Sequence, residues 1–381
     1  MTKKIRLGIL FGGRSGEHDV SLTSAASVVK VLDPTKYELV PIGITREGSW
    51  RIGSAAVGAQ HPDYAGTGAV PLQSVFETGT PVTPSADPTG PKLIVLNASL
   101  PAADACPEVD VIFPVLHGTF GEDGTVQGLL ELAEIPYVGA GVLASAAGMD
   151  KDVMKRLFRD AGLPVVKWVL VLRSDWERDP GSICKLLEKE IRFPLFVKPA
   201  NLGSSVGISK VHHARELAAA IDLAAQYDRK ILVEKAVDAR EIECSVLGND
   251  RPEASVAGEV IPLNEFYDYE AKYLKEGSEL TIPAKLSARQ TKRVQELSVR
   301  AFTAIDCAGM ARVDLLLDRK SGKLFINEIN TIPGFTPISM YPKLWEASGL
   351  PYPKLLDRLI ELALERHREK TRTRYHYKPR P

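Results

Sequence analysis

The 381-residue chain has the composition of an ordinary globular protein, with 44% hydrophobic and 25% charged residues. Its length allows about two or three domains, each with a core of its own. The 48 lysine and arginine residues are balanced by 48 aspartate and glutamate residues. Because no overall charge attracts nucleic acid or an anionic membrane surface, we expect the partner to be a small molecule.

The cysteines and the apolar segments favour a reducing compartment. The chain has four cysteines, which lack the short paired spacing of a zinc site or a disulfide framework: Cys106, Cys184, Cys244 and Cys307. No run of about 18 apolar residues occurs, and the early apolar stretch IRLGILF is too short for a membrane span or a secretory signal. We therefore predict a cytoplasmic protein that binds neither membrane nor nucleic acid.

Residues 1–144 alternate between strand and helix patterns, which predicts an N-terminal Rossmann-like domain with a parallel sheet. IRLGILF predicts a strand, residues 20–32 a helix, and YELVPIGIT a second strand. Residues 53–92 are rich in Gly, Ala, Pro and Thr without clear periodicity, which favours an irregular insertion. The sheet is expected to resume with VDVIFPVLHG.

A glycine loop, FGGRSGEHDVS, follows the first predicted strand. Such loops often hold phosphate, but Glu17 and Asp19 would repel a polyanion. A nicotinamide-binding domain would also need G-x-G-x-x-G and an acidic residue about 20 positions later, and GILFGGRSGEHD supplies neither. These features argue against a dehydrogenase and indicate that the loop binds something other than a nucleotide.

Two further domains are predicted, which makes the whole chain an α/β protein. Residues 145–235 combine a helix through GMDKDVMKRLFRDAG with the strands PVVKWVLVL, FPLFVKP, SSVGISKV and KILVEKAV. In residues 236–370, the strand segments REIECSVLG, ASVAGEVI, ARVDLLLD and KLFINEIN surround an amphipathic helix at 286–304, and a last helix runs from Leu355. Residues 371–381 have no apolar repeat and are expected to be a frayed tail.

The stretch ARVDLLLDRKSGKLFINEINTIPG predicts a β-hairpin around a Ser-Gly turn. If Asp314 lies opposite Glu328, then Arg312 lies opposite Asn330, and the period of two places all four side chains on one face. Two carboxylates and an amide suit a hard cation such as Mg²⁺. A solvated polar strand face is the ordinary alternative, but both strands are apolar on the other face, and Gly334 follows with a backbone N–H nearby.

A second constellation, FVKPANLGSSVGISK, predicts a phosphate-binding loop in which Lys198 precedes two glycines and two serines. The order of residues differs from the Walker motif. Such a loop is more often a simple turn. Its combination with Lys151, with Glu234 and Lys235, and with the hairpin ligands favours an ATP site.

Several motifs in one order resemble the D-alanine:D-alanine ligases of the ATP-grasp superfamily. The resemblance covers nearly the whole chain and rests on EHDVS, HGTFGEDG, GMDK, KPANLGSSVG, FYDYEAKY, ARVDLLL and NEINTIPGFTPISMYP. It implies a three-domain ATP-grasp fold. It also implies that ATP phosphorylates the carboxylate of one D-alanine and that the amine of a second D-alanine attacks the acyl phosphate, giving a dipeptide for peptidoglycan.

The resemblance also implies roles for the residues that would hold ATP and metal. The nucleotide-binding residues would be Lys151, Lys198, Ser204, Ser205, Glu234, Lys235, Val237, Glu241 and Lys272. Asp314, Glu328 and Asn330 would hold Mg²⁺, as one or two ions, with Mn²⁺ as a substitute.

The same resemblance assigns residues to the two amino acids. Glu17 would bind the ammonium of the first D-alanine and orient Ser204 and Tyr273. Arg312 and the N–H of Gly334 would stabilise the oxyanion formed during amine attack. The remaining contacts with the amino acids would come from His117, Lys272, Ser339 and Met340.

Two alternatives stay open in the sequence. A sister ligase that joins D-alanine to D-lactate or D-serine would share nearly every motif. Only Lys272 and Tyr273 favour a D-alanine:D-alanine ligase over it. A non-catalytic ATP-binding regulator would keep the fold but could lose ligands, and every expected ligand is present. A homodimer is the expectation that the family resemblance implies.

Overall fold

The computed structural model describes residues 3–53, 72–96, 108–203, 206–262 and 278–375. Within them the chain forms three β-sheets of six, four and five strands, with helices packed against each. Boundaries between domains near residues 144 and 235 stay a prediction. No helix in these ranges is long and apolar enough to cross a membrane.

The six-stranded sheet is built from the N-terminal region in the order β5-β4-β3-β2-β1-β6. β1 pairs in parallel with both β2 and β6, whereas the pairings from β2 outward to β5 are antiparallel. The strands are β1 (Ile5–Gly12), β2 (Tyr37–Ile44), β3 (Trp50–Ile52), β4 (Thr80–Pro84), β5 (Leu93–Val95) and β6 (Val111–Pro114).

Helices α1 (His18–Val31), α2 (Leu72–Thr78), α3 (Thr125–Leu132) and α4 (Val142–Met149) accompany this sheet. The expectation of an irregular segment at 53–92 is wrong for its second half, which supplies α2 and β4. Val75 of α2 and Val82 of β4 are buried. Burial of a few apolar side chains therefore stabilises short helices and strands whose sequence shows no periodicity.

The four-stranded sheet has the order β7-β10-β8-β9 and is antiparallel throughout. Its helix α5 begins where Asp150 accepts hydrogen bonds from the backbone N–H groups of Asp152 and Val153, which caps the first turn. The elements of this region are α5 (Lys151–Asp160), β7 (Trp168–Leu172), α6 (Arg173–Arg178), α7 (Pro180–Glu190), β8 (Leu195–Pro199), β9 (Ser209–Val211), α8 (Ala214–Tyr227) and β10 (Lys230–Lys235).

The five-stranded sheet has the order β13-β12-β11-β14-β15, again antiparallel. The expected long helix is present and begins with a capping box between Ser287 and Gln290. Two elements, β13 and α10, were not anticipated. The region comprises β11 (Ala239–Gly248), β12 (Glu253–Pro262), β13 (Ser278–Thr281), α9 (Ala288–Ala304), β14 (Gly309–Asp318), β15 (Leu324–Asn330), α10 (Met340–Ala347) and α11 (Tyr352–Lys370).

Helix α11 joins the last region of the chain to the first. Its buried side chains Leu355 and Leu359 belong to the same apolar cluster as Leu7 and Phe113 of the N-terminal sheet. Arg366 donates to the carbonyls of Tyr137 and Gly139 across the same boundary. This packing fixes the loop after β15 against the loops at the ends of β1 and β6, where the candidate site lies.

Candidate active site

The hairpin of β14 and β15 has the predicted register. Arg312 pairs with Asn330 and Asp314 pairs with Glu328, with a bulge directly after Asp314. Burial alternates along β14, so that the residues of the polar face are half-buried and those between them lie in the core. The alternation along β14 therefore places Arg312 and Asp314 on one face, and the bulge brings Glu328 and Asn330 of β15 opposite them.

Arg312 is held by two carboxylates on this face. Its Nε and Nη2 atoms each lie 2.7 Å from an oxygen of Asp314, and Nε lies 3.0 Å from Glu243 Oε2 on neighbouring β11. Burial opposes the charge of Arg312, but Asp314 and Glu243 outweigh it and raise the pKa of the guanidinium well above its ordinary value. A fixed cation therefore lies at the centre of the face.

The donor atoms of this face fit a hard divalent cation. Asp314 and Glu328 supply carboxylates, and Asn330 supplies an amide oxygen that also accepts from the N–H of Ile332 at 3.2 Å. Across the described ranges, no group of three or more His, Cys, Asp or Glu residues could hold a metal by itself. A metal here would take the amide oxygen and substrate oxygens to complete its shell, as Mg²⁺ commonly does with phosphates.

Lysines approach this face from the four-stranded sheet. Lys151, the first residue of α5, lies with its Nζ 4.0 Å from Glu328 Oε2 and donates to the carbonyl of Leu202 at 2.8 Å. Lys198 lies on β8, in the run that leads into the glycine loop. The two predicted phosphate-binding lysines thus come from a helix start and a strand end, and Lys151 lies beside the proposed metal ligand Glu328.

Glu234 lies between two buried lysines. One carboxylate oxygen pairs with Lys198, and the other lies 3.0 Å from the Nζ of Lys155, one helical turn after Lys151 on α5. Burial alone would raise the pKa of Glu234, but Lys155 and Lys198 outweigh it and lower that pKa to about 2. Lys155 was missed in the sequence, although its spacing of four from Lys151 places both lysines on one side of α5.

A cavity of about 250 Å³ lies between the glycine loop after β1 and the loop after β8, lined by Ser15, Gly16, Glu17, Gly118, Thr119, Leu202, Gly203 and Val206. A Cβ atom on Gly118 would lie 2.8 Å from Glu17 Oε2, and one on Gly203 would lie 3.1 Å from it. Glycine at both positions therefore makes room for the carboxylate. Glu17 precedes α1 and does not cap it with its side chain.

His117 ties the cavity wall to the hairpin loop. Its Nδ1 lies 3.2 Å from the carbonyl of Ile332, and its Nε2 lies 3.0 Å from Ser24 Oγ on α1. Burial lowers the pKa of this imidazole, which favours the neutral ring. In that form Nδ1–H donates to the carbonyl and Nε2 accepts from the serine, so the ring braces the site.

Glu122, in the HGTFGEDG loop, is a buried acid that the sequence did not single out. Its Oε2 accepts from the backbone N–H of Gly118 at 2.6 Å. Burial raises the pKa of Glu122 to about 8, and the negative charge of Glu17 acts in the same direction. Behind Gly118, which lines the cavity, there is therefore a carboxyl group that is mostly protonated at neutral pH.

The remaining predicted site residues are placed as follows. Ser339 Oγ accepts from the N–H of Thr336 at 3.0 Å and would lie 2.7 Å from a Cβ on Gly334. Met340 is buried beside Val260 in a small apolar cluster. Lys235 is exposed, and Val237 and Glu241 are half-buried. The predictions for Ser204, Ser205, Lys272 and Tyr273 lie outside the described residues.

Comparisons with known proteins identify the family. A model described as D-ala D-ala ligase N-terminus matches residues 6–140, and one described as D-ala D-ala ligase C-terminus matches residues 157–361. A D-alanine–D-alanine ligase of Heliobacterium modesticaldum is 52% identical over 377 residues, which is 99% of each chain. The chain belongs to the D-alanine–D-alanine ligase family. A member from Thermoanaerobacter sp. strain X514 is 51% identical over 97% of this chain and 99% of its own.

Solved structures of the same family share the fold. The D-alanine-D-alanine ligase from Coxiella burnetii has a TM-score of 0.81 and 39% identity over 97% of both chains. The VanG D-Ala:D-Ser ligase from Enterococcus faecalis has a TM-score of 0.82 and 36% identity over 95% of this chain and 100% of its own. The predicted α/β ATP-grasp fold is confirmed, and overall fold does not separate family members that differ in the second amino acid.

Proposed function

We propose that this protein joins two D-alanine molecules into D-alanyl-D-alanine at the expense of ATP, in the synthesis of peptidoglycan precursors. The observation that carries the proposal is the proximity of two chemically different regions. A cavity with a carboxylate, Glu17, suits an ammonium group, and it meets a face whose lysines, arginine and oxygen donors suit phosphates and a metal. The His117–Ile332 contact joins the two.

Each charged residue of the site would bind a different charged group of the substrates. Glu17 would hold the ammonium of the first D-alanine and so direct its carboxylate toward the phosphate side. Lys151 and Lys198 would hold the phosphates of ATP during transfer to that carboxylate. Arg312 would stabilise the negative oxygen that develops when the amine of the second D-alanine attacks, with the N–H of Gly334 as a second donor.

A divalent cation fits the polar face of the hairpin. Asp314, Glu328 and Asn330 would hold Mg²⁺, which supplies charge neutralisation between the phosphates and the incoming carboxylate. One or two ions, and Mn²⁺ in place of Mg²⁺, are compatible with these oxygen donors. Asp314 would serve two partners, because both its oxygens already accept from Arg312.

Other assignments come from the family. Ser204 and Ser205 would cover the phosphates, and Ser339, Lys272 and Met340 would contact the second amino acid. Lys235, Val237 and Glu241 would line the adenine and ribose side together with Glu234. Tyr273, linked to Ser204 and Glu17, would favour a second D-alanine over D-lactate, because negative character beside the attacking group disfavours a substrate that brings only a carboxylate. A cytoplasmic homodimer is part of the same proposal, and light scattering would test its size.

The deciding experiment measures phosphate release from ATP and separates the products by chromatography. D-Alanine, D-serine and D-lactate are supplied alone and in pairs. We expect ADP, phosphate and D-alanyl-D-alanine with D-alanine alone. A mixed product in preference to the dipeptide would assign a sister ligase, and ATP binding without turnover would assign a regulator.

Asp314→Asn, which keeps a hydrogen bond to Arg312, should lower turnover at least about a hundredfold because charge compensation is lost.

A further inference from the structure

Lys155 has no direct role in the cavity or on the hairpin face. We propose that it is a positioning residue whose charge keeps its cluster with Glu234 and Lys198 net positive toward the nucleotide phosphates. It does so by sharing the carboxylate of Glu234. The inference rests on the proposed function, because it assigns the phosphates of ATP to Lys198. It concerns the strength and charge dependence of nucleotide binding and leaves the chemistry of ligation unchanged.

The geometry places Lys155 behind the site. Its side chain is only 1% exposed, that of Glu234 is 4% exposed, and that of Lys198 is 9% exposed. The exposure therefore increases from Lys155 through the shared carboxylate to Lys198. Lys155 also lies 5.9 Å from the centroid of the Trp168 ring on β7, which encloses it on a further side. A lysine this deeply buried makes no direct contact with a ligand and can act on it only through its electric field.

The charges of the three residues give the reason for a second lysine. Burial lowers the pKa of Lys155, and the Glu234 carboxylate beside it acts in the opposite direction. With Lys155 protonated, two ammonium groups share one carboxylate, and the cluster carries a net charge of about +1. Without Lys155, the charges of Glu234 and Lys198 would cancel, and an approaching phosphate would meet a neutral pair. Because charges inside a protein are screened far less than in water, the difference extends to a ligand at the surface of the cluster.

The contact between Lys155 and Glu234 indicates that Lys155 acts through its charge and not through the space that it fills. Their 3.0 Å approach joins two opposite charges whose side chains are only 1% and 4% exposed. Glu234 also keeps Lys198 as a partner when Lys155 is replaced. Methionine has nearly the length of lysine and no charge, so Lys155→Met removes the charge while filling the same space.

The test compares binding of ATP with binding of adenosine by titration calorimetry, since adenosine carries no phosphate charge. We expect Lys155→Met to raise the Kd of ATP about tenfold, as loss of one unit charge at several ångströms in a partly screened site implies. The Kd of adenosine should change less than about twofold. In the double variant Lys155→Met, Glu234→Gln, the net charge of +1 returns on Lys198, so the ratio of the Kd of ATP to the Kd of adenosine should return toward that of the parent. The ratio cancels any effect of Glu234 on the adenine and ribose side.

Two controls make the result decisive. Lys167→Met removes an exposed lysine that pairs with Glu190 at 3.0 Å, and it should leave both affinities unchanged. Lys155→Gln replaces Lys155→Met if the latter melts below the assay temperature. Equal losses for ATP and adenosine, an unchanged Kd for ATP, or a double variant no better than the single one would each overturn the inference. A parent protein that binds no ATP would instead overturn the proposed function.

Discussion

Two buried glutamates, one on each side of the candidate site, have opposite protonation. Glu234, on the proposed nucleotide side, has a pKa lowered to about 2, and Glu122, on the proposed amino-acid side, has a pKa raised to about 8. Burial raises the pKa of both groups. The difference comes from their neighbours, because Glu234 lies between Lys155 and Lys198, whereas Glu122 lies near the like charge of Glu17.

This difference separates the two sides of the site by function. Glu234 is an anion that pairs with two lysines, and in the proposed function these lysines face the phosphates of ATP. Glu122 is a neutral acid that shapes the loop through Gly118 and leaves the negative charge of the cavity to Glu17. A cavity for one ammonium group needs one carboxylate, and a second ionised carboxylate would have to be desolvated without a partner.

The largest effect should follow removal of the charge of Glu234. Glu234→Gln keeps the shape but leaves Lys155 and Lys198 buried without a carboxylate, so we expect a loss of about 3–5 kcal/mol in the free energy of unfolding, measured with urea. The parent should also lose stability as pH falls from about 4.5 toward 2, because the unfolded chain binds the proton first.

Glu190→Gln is the matched control for that variant. Glu190 pairs with Lys167 at 3.0 Å at the surface, where solvent screens the pair, and no measurable loss of stability is expected. A similar stability for both variants would mean that the buried pairs of Glu234 contribute no more than a surface pair, and the comparison of the two glutamates would lose its basis.

The next effect concerns Glu17, the charged acid of the cavity. Glu17→Gln should raise the KM for the first D-alanine by about 10- to 100-fold, because a charge-assisted contact of about 1.5–3 kcal/mol is lost. The KM for ATP should change far less. Asp19→Asn, two residues later, removes an exposed carboxylate that pairs with Arg46 at 2.8 Å and serves as the control. Equal changes in both KM values would point to a distorted fold instead.

The polar face of the hairpin could be predicted because its information is local. Polar and apolar residues alternate from Arg312 to Leu315 on β14 and from Glu328 to Asn330 on β15. Continued from the turn, the pairing of Leu315 with Ile326 would place Asn327 opposite Asp314, and the bulge after Asp314 brings Glu328 there instead. The hairpin and its polar face therefore follow from the sequence, whereas the bulge that pairs Asp314 with Glu328 does not. The helices α1, α5, α9 and α11 were likewise indicated by apolar repeats, with ends that differ from expectation by a few residues.

The features that were missed depend on neighbours far along the chain. Lys155 looks like any helical lysine until β10 brings Glu234 to it, and Glu122 looks like any loop acid until packing buries it near Glu17. The short strands β4 and β5 were missed because three to five residues show too little of a period. Their place at the sheet edge is set by pairing with β3 and with each other.

The smallest effect at mildly acidic pH should come from Glu122→Gln. Glutamine has the shape of the protonated acid and can accept the same hydrogen bond from Gly118 N–H, so at about pH 5 the free energy of unfolding should change by less than about 0.5 kcal/mol. The physical reason is that the parent already holds a neutral group there. Denaturant unfolding at a series of pH values is the measurement.

The pH dependence then tests the protonation of Glu122 itself. Its pKa is about 8 in the folded protein and near the ordinary 4.5 in the unfolded chain, so between these values the folded state binds the extra proton. The stabilisation that the proton provides is complete below about pH 4.5 and is lost as pH rises toward 8, by at most about 1.4 kcal/mol for each pH unit. Glu122→Gln carries no such proton, and its stability relative to the parent should therefore increase steadily across this window. Parallel pH profiles for the two proteins would show that Glu122 ionises like an ordinary surface acid, and a second negative charge would then lie near Glu17.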